Sequence, residues 1–367
     1  MRLEAVELRR LAMPLVAPFR TSYGVEVARD VLIVRAIAAD AEGWGECVAM
    51  AEPLYSSEYV DGAHDVLRRH LLPRLLGVDV NGALVGPLLG DVRGHLMAKA
   101  AVETAVLDAE LRASGTRLAD HLGATRDTVP AGVSVGMHDS IPALLDTVEQ
   151  YLAAGYVRVK LKIEPGRDIE PVAAVRNRFG SELLLQVDAN AAYELADWQH
   201  LALLDELDLL LVEQPLAEDD LAGHAELATR LRTPICLDES ITSARAAAVA
   251  IDMGACSIVS IKAGRVGGYL EARRIHDVCV ESCVPVWCGG MLETGIGRAA
   301  NIALAALPGF TLPGDISASA RYFARDVTAP FVLDDGHLDV PKGTGIGVTP
   351  DAAALADFTT SVELIRP

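Results

Sequence analysis

The chain is short of positive charge, of paired cysteines and of long uncharged runs. It carries 32 lysines and arginines against 51 aspartates and glutamates, a formal net charge of −19 over 367 residues. Nucleic-acid binding needs clustered cations, so the balance argues against a nucleic-acid binder, and an anionic membrane surface is disfavoured on the same ground. The six cysteines (Cys47, Cys236, Cys256, Cys279, Cys283, Cys288) contain no C-x-x-C pair, and several sit in apolar runs. Buried free thiols in a reducing cytoplasm are the expectation. The longest uncharged stretch, Ala299 to Gly314, falls short of the ~20 residues a spanning helix needs and contains two prolines. The N-terminal MRLEAVELRR alternates charges where a secretory signal would be apolar.

What is present is core-forming material. Apolar types make up 51 % of the chain and charged types 23 %, which excludes disorder. The length suits two domains, or one barrel with an added module. An acidic protein can still hold an anionic substrate, but only through a local cationic site.

The middle of the chain repeats. Apolar, strand-like runs with polar ends are centred on Ser134, Leu161, Val187, Val212, Leu237, Ile261, Trp287 and Leu312, with gaps of 27, 26, 25, 25, 24, 26 and 25. Between them lie helical patterns such as ARAAAVAIDMG and GRAANIALAAL, apolar at i, i+3 and i+4. Strand–helix units of this length imply parallel strands with right-handed crossovers. Eight strands with seven helices fit a modified TIM barrel, (β/α)7β, better than an open doubly wound sheet. The first part lacks the rhythm. Strand-like LEAVELRRLAMPL, DVLIVRAIAAD and GWGECVAM, followed by two helical stretches, describe an α+β module. The expected organisation is an N-terminal capping domain over 1–125, a barrel over 126–320, and a C-terminal segment, 321–367, packing back on the cap. Strand-like PFVLDD and GHLDVPK lie in that tail.

In such a barrel, side chains at the C-terminal strand ends face the active site. Here five consecutive ends are polar. They carry Lys160 and Lys162, then Asp188 and Asn190, then Glu213, then Asp238 and Glu239, then Lys262. Asp188, Glu213 and Asp238 recur every 25 residues, and Lys262 follows 24 later, so they reach one height around one ring. Any one of them could be a rim charge or a helix cap; five in phase point to a site. Three converging carboxylates repel one another unless a cation lies between them. Hard oxygen ligands without paired His or Cys suit Mg²⁺ or Mn²⁺ rather than Zn²⁺. The lysines flank the carboxylates on two sides. A lysine acts as a base only when neutral, so its pKa must fall, and Lys160 beside Lys162 and a nearby dication both push that way. Two opposed lysines and one metal specify removal of a proton next to a carboxylate. Use of both faces gives racemisation; loss of a β-leaving group gives elimination.

The succession K-x-K, D-x-N, E-Q-P, D-E-S and a strand-six lysine resembles the muconate-cycloisomerase-like subgroup of the enolase superfamily. Longer pieces (VRVKLKIEPG, LLLQVDAN, TPICLDES, GRVGGYLEARRIHDVC, VPVWCGGMLETGIGRAAN, FTLPGDISAS) are similar to the actinobacterial N-acylamino acid racemase and o-succinylbenzoate synthase family over essentially the whole chain. The resemblance implies metal ligands at Asp188, Glu213 and Asp238, with Mg²⁺ first and Mn²⁺ or Co²⁺ as substitutes, and no organic cofactor. It implies an acid/base pair at Lys162 and Lys262, with Lys160 beside them. In the synthase reaction Lys162 would remove the proton and assist loss of hydroxide, while Lys262 steadies the enediolate. It implies a small carboxylate substrate, a role in menaquinone synthesis for the synthase alternative, and a homo-oligomer. Dipeptide epimerase and muconate-type cycloisomerase are the alternatives on the same site; a Schiff-base aldolase and a non-catalytic scaffold fit the ring less well. Acid-sugar dehydratases carry a strand-seven histidine, absent from PVWCGGM, and dipeptide epimerases tend to D-x-D where this chain has Asp315-Ile316-Ser317. Ala263 stands where the family has proline, which removes a backbone constraint beside Lys262.

Around this ring, Asn190 and Glu239 are expected to support the metal site, and the charge of Arg265 is expected to tune Lys262. Ser134 and the Gly289-Gly290-Met291 segment are expected on the acyl side of the substrate. Phe19, Tyr23 and Tyr55, joined by Phe323, are expected to form an apolar lid.

Overall fold

Alternating side chains in LEAVELRRLAMP and DVLIVRAIA build two long strands, β1 (Leu3–Thr21) and β2 (Gly24–Ala38), paired antiparallel with Leu8 opposite Val34. β3 (Glu42–Cys47) adds to β2. The helix Leu96–Ser114 packs on this sheet and is buried on most of its sides, Glu103 and Asp108 among its buried residues. These elements form an N-terminal capping domain. The computed structural model describes residues 1–22 and 24–367, so Tyr23 of the expected lid lies outside the described residues.

A short strand, β4 (Thr128–Pro130), precedes the barrel, which begins with β5 (Gly132–Val135). β6 (Arg158–Lys162), β7 (Leu184–Asp188), β8 (Val212–Glu213), β9 (Ile235–Leu237), β10 (Ile258–Ile261) and β11 (Val286–Cys288) follow, each next to its predecessor in one curled parallel sheet that starts at β5. The eighth run, FTLPGD, is not a regular strand. It joins the two edges by single bridges, Phe310 to Val286 and Gly314 to Ala131, because Pro313 cannot donate to a ladder. β12 (His337–Asp339) pairs with β4, and β13 (Thr359–Ile365) returns to pair with β1, placing Glu363 opposite Leu8. PFVLDD forms no strand.

Five of the six free cysteines are buried. Cys283 is exposed, against the expectation of burial: the preceding helix ends at Glu281, and Cys283 takes a left-handed turn (φ 57°) beyond it. Among the described residues, no helix is long and apolar enough to cross a membrane.

Two glutamates of the capping domain close barrel helices. Glu46 accepts from the Thr294 and Gly297 amides at the start of the helix Gly295–Ala305. Glu103 accepts from the Leu270 amide at the start of Tyr269–Glu281. Each satisfies helix donors that would otherwise be unpaired. Burial pushes both carboxyls up to about 7 from an ordinary 4.5. A raised acid binds its proton more tightly in the folded chain than in the unfolded one. Its contribution is therefore complete below pH 4.5 and is lost as the pH rises through 7. Glu46→Gln keeps an acceptor and removes the ionisation. Denaturant unfolding should show the variant gaining on the wild type by ~2–3 kcal/mol between pH 4.5 and 8. A constant difference across that range would refute this reading of Glu46.

Candidate active site

Register delivers the ring. Ser134 pairs with Lys160, Lys162 with Asp188, and Asp188 with Glu213, so neighbouring strands present their polar ends side by side. Asp188, Glu213 and Asp238 are fully buried, and Lys160 and Lys262 nearly so. The rim is bent where the strands stop. Asn190 (φ 43°), Ala191 (60°), Gln214 (39°) and Leu292 (57°) all occupy the left-handed region, a conformation that clusters at functional sites.

Lys160 Nζ lies 3.0 Å from Asp188, 2.8 Å from Glu213 and 2.6 Å from Asp315. Lys162 Nζ donates to Asp188 Oδ2 and to Asn190 Oδ1, each at 2.6 Å. Asn190 Nδ2 in turn donates to Glu239 Oε1 at 2.8 Å. Across the site, Lys262 Nζ donates to Asp238 Oδ2 at 2.6 Å and to the Tyr55 hydroxyl at 2.9 Å. The Arg265 amide donates to the Lys262 carbonyl at 3.0 Å, while its guanidinium donates to the other oxygen, Asp238 Oδ1, at 2.8 Å, so the two cations share one carboxylate. One cavity is lined by Lys160, Lys162 and Lys262 together with Asn190, Ser134, Phe19, Tyr55, Gly290 and Met291.

Electrostatics differ from the expectation for the lysines. Burial disfavours the ammonium of Lys160, but Asp188, Asp315 and Glu213 outweigh it and hold its pKa well above the ordinary range. Asp238, helped by further acidic neighbours, does the same for Lys262 against burial. The protein groups alone therefore raise these two lysines rather than lower them, because each meets carboxylates at closer range than it meets another cation. Burial likewise opposes ionised Asp188, but Lys160 and Lys162 hold it well below the carboxylate range. Glu213 goes the other way: burial and then Asp188 push it up. Burial and Asp238 push Glu239 up to about 7.

The carboxylates bear on a cation as follows. Among the described residues, no three His, Cys, Asp or Glu side chains are grouped closely enough to hold an ion together, and lysine ammonium groups lie against Asp188, Glu213 and Asp238. The donor set nevertheless fits a hard divalent cation. All three side chains are carboxylates at adjoining strand ends, and Glu213 Oε1 is buried without a hydrogen-bond partner.

Several lining residues were not read from the sequence. Asp315 joins Lys160 to Arg158 (2.7 Å), and both cations lie over the Trp287 ring at 4.9 and 5.2 Å. Gln214 Oε1 accepts from the Asp238 and Ser240 amides and so fixes the end of β9. Met50, Leu292 and Tyr322 also line the cavity. Phe323 is buried away from it, in a groove with Arg325 and Phe331; Tyr322 holds the place expected of it. Gly289 supports the wall from behind: a Cβ there would lie 2.7 Å from the Lys262 side chain. A signal for Asp315 existed, since it ends the eighth repeat just as Asp188 ends the third. No local pattern distinguishes Tyr322 from Phe323.

Two family profiles cover most of the chain. The mandelate racemase / muconate lactonizing enzyme N-terminal domain matches residues 5–123, and the enolase C-terminal domain-like family matches 143–354. The chain belongs to the enolase superfamily. An N-succinylamino acid racemase from Amycolatopsis sp. is 64 % identical over 98 % of each chain. An o-succinylbenzoate synthase from Geobacillus kaustophilus is 44 % identical over 99 % of this chain and 98 % of its own. A crystal structure of an enolase-superfamily protein from Listeria innocua superposes with a TM-score of 0.96 at 42 % identity, covering 100 % of this chain and 99 % of its own. Within the superfamily, dipeptide epimerases and muconate cycloisomerases are more distant relatives.

Proposed function

We propose that this superfamily member removes the proton α to a carboxylate, using Lys162 and Lys262 on opposite faces, and racemises N-acyl amino acids of the N-succinyl type. The observation that carries the reading is the pair of lysines on β6 and after β10, both lining one cavity, with buried carboxylates between them. Lys162 would take the proton from one face while Lys262 returns one to the other, inverting the centre. Lys160, fixed by Asp315 and Glu213, is placed to bind the substrate carboxylate as a cation. Tyr55 and Asn190 hold the two bases in position. Enolase-superfamily enzymes depend on a divalent metal, typically Mg²⁺. Asp188, Glu213 and Asp238 would hold it, Asn190 and Glu239 would support them, and it would supply Lewis-acid stabilisation of charge built up on the substrate carboxylate. Positive charge so placed would also offset the carboxylates that favour the ammonium of Lys160 and Lys262.

The second reading is o-succinylbenzoate synthase, which begins with the same proton loss and is favoured by the 44 % identity to such an enzyme. Dipeptide epimerisation finds less support, because Asp315, the acid at the end of the eighth repeat, has both oxygens committed to Arg158 and Lys160. A paired assay decides between them. We expect kcat/KM for N-succinyl amino acids to exceed that for N-acetyl ones, with measurable turnover of the synthase substrate. Inertness toward every N-acyl amino acid would overturn the racemase reading. A small carboxylate as the only required partner, and assembly into a homo-oligomer, complete the proposal.

A further inference from the structure

At one end of the cavity stands a cation without a counter-ion among the described residues. Arg321 makes no ion pair among the described residues; its Nη2 donates to the Ser134 carbonyl at 2.9 Å, and its Nε is buried without a partner. Its guanidinium lies 4.9 Å from the Tyr322 ring centroid, 5.6 Å from that of Phe19 and 4.9 Å from that of Tyr151. Phe19, Ser134 and Tyr322 all line the cavity. The other charges near this end are accounted for. Arg158 and Lys160 share Asp315, and Arg20 holds Asp139. Arg298, also over the Tyr322 ring at 5.8 Å, bonds to the carbonyls of Ser317 and Glu293 and to no carboxylate among the described residues. Positive charge behind this aromatic wall is thus uncompensated, in a chain whose net charge is −19. The field reaches the wall: burial pushes the Tyr322 phenol up to about 12, and Arg321 is the first influence against that rise.

A wall of this kind acts on charge rather than shape. Aromatic faces tolerate a cation on their far side, and the low dielectric between cation and cavity carries the potential further than water would. A carboxylate at the far end of an acyl group would be favoured there over a neutral group of equal size. We propose that Arg321 is a specificity-determining residue that selects acyl groups ending in a carboxylate, acting by its charge through the Phe19–Tyr322 wall. The inference rests on the N-acyl amino acid reading above.

The test compares N-succinylalanine with its terminal amide, N-(3-carbamoylpropanoyl)alanine, which has the same length and no charge at the end of the acyl group. The quantity read is the ratio of their kcat/KM values, in which a general loss from disturbed packing cancels. Arg321→Gln should lower that ratio about tenfold, equivalent to about 1.4 kcal/mol. Arg321→Lys, which keeps the charge, should retain most of it. A ratio unchanged in Arg321→Gln, or lowered equally in Arg321→Lys, overturns the inference while wild-type activity keeps the parent reading standing. A wild type inert on both substrates overturns the parent reading and this inference with it.

Discussion

Alanine at Lys262 is expected to cut racemisation by at least ~10³-fold, and alanine at Lys162 to do the same, since a positioned general acid or base contributes of this order and racemisation needs both. The two variants should differ in what survives. Without Lys262, the enantiomer whose α-proton faces Lys162 should still exchange it with solvent, with retention of configuration, while the other enantiomer should not. Without Lys162 the pattern should reverse. Exchange followed by NMR in deuterated buffer separates this outcome from simple misfolding, which would silence both enantiomers. The concern is real at Lys262, because its ammonium is buried against Asp238 and Tyr55, and its loss leaves Asp238 with one cation, Arg265, on its other oxygen. Appreciable racemisation in either variant would break the two-base scheme.

Chelation is the second large effect. Stripping divalent metal should abolish turnover, and Mg²⁺, Mn²⁺ or Co²⁺ should restore it. The physical ground is Glu213, a buried carboxylate with one oxygen unpartnered and a neighbour of the same sign, Asp188, beside it. A cation would satisfy that oxygen and relieve the repulsion. Glu213→Gln removes one negative ligand and should weaken Mg²⁺ binding at least about tenfold. Calorimetric titration of the stripped protein reads this without reference to activity. Thermal unfolding gives a second reading, because a ligand at a hundredfold excess over its Kd stabilises the folded state by about 2.7 kcal/mol. Full activity after chelation, or Mg²⁺ binding indifferent to Glu213→Gln, would remove the metal from the mechanism.

How legible each part was follows from how local its signal is. Strand and helix periods are set by neighbours within a turn or two, so the eight ~25-residue units could be read directly, and their polar ends with them. Asp188, Glu213, Asp238 and the lysines share a phase, and parallel register turns that phase into proximity. Asp315 was visible as the end of the eighth unit, but its bond to Arg158, 157 residues away along the chain, was not. The eighth unit lost its regular strand to a proline, which a spacing count does not weigh. β13 went unread because an exposed edge strand needs little apolar patterning.

The sequence by itself determined the barrel class, the ring and the family, since repetition, residue chemistry and long motifs all survive in one dimension. Tertiary structure alone decided which charges meet in the site. It set Lys160 among three carboxylates and Lys262 against Asp238, so that the protein's own groups favour the ammonium in both. It also put Tyr322 rather than Phe323 on the cavity and left Arg321 behind it without a counter-ion among the described residues. These are sums over groups distant in the chain, and a buried pKa depends on every charge within a few ångströms, which only the closed barrel brings together.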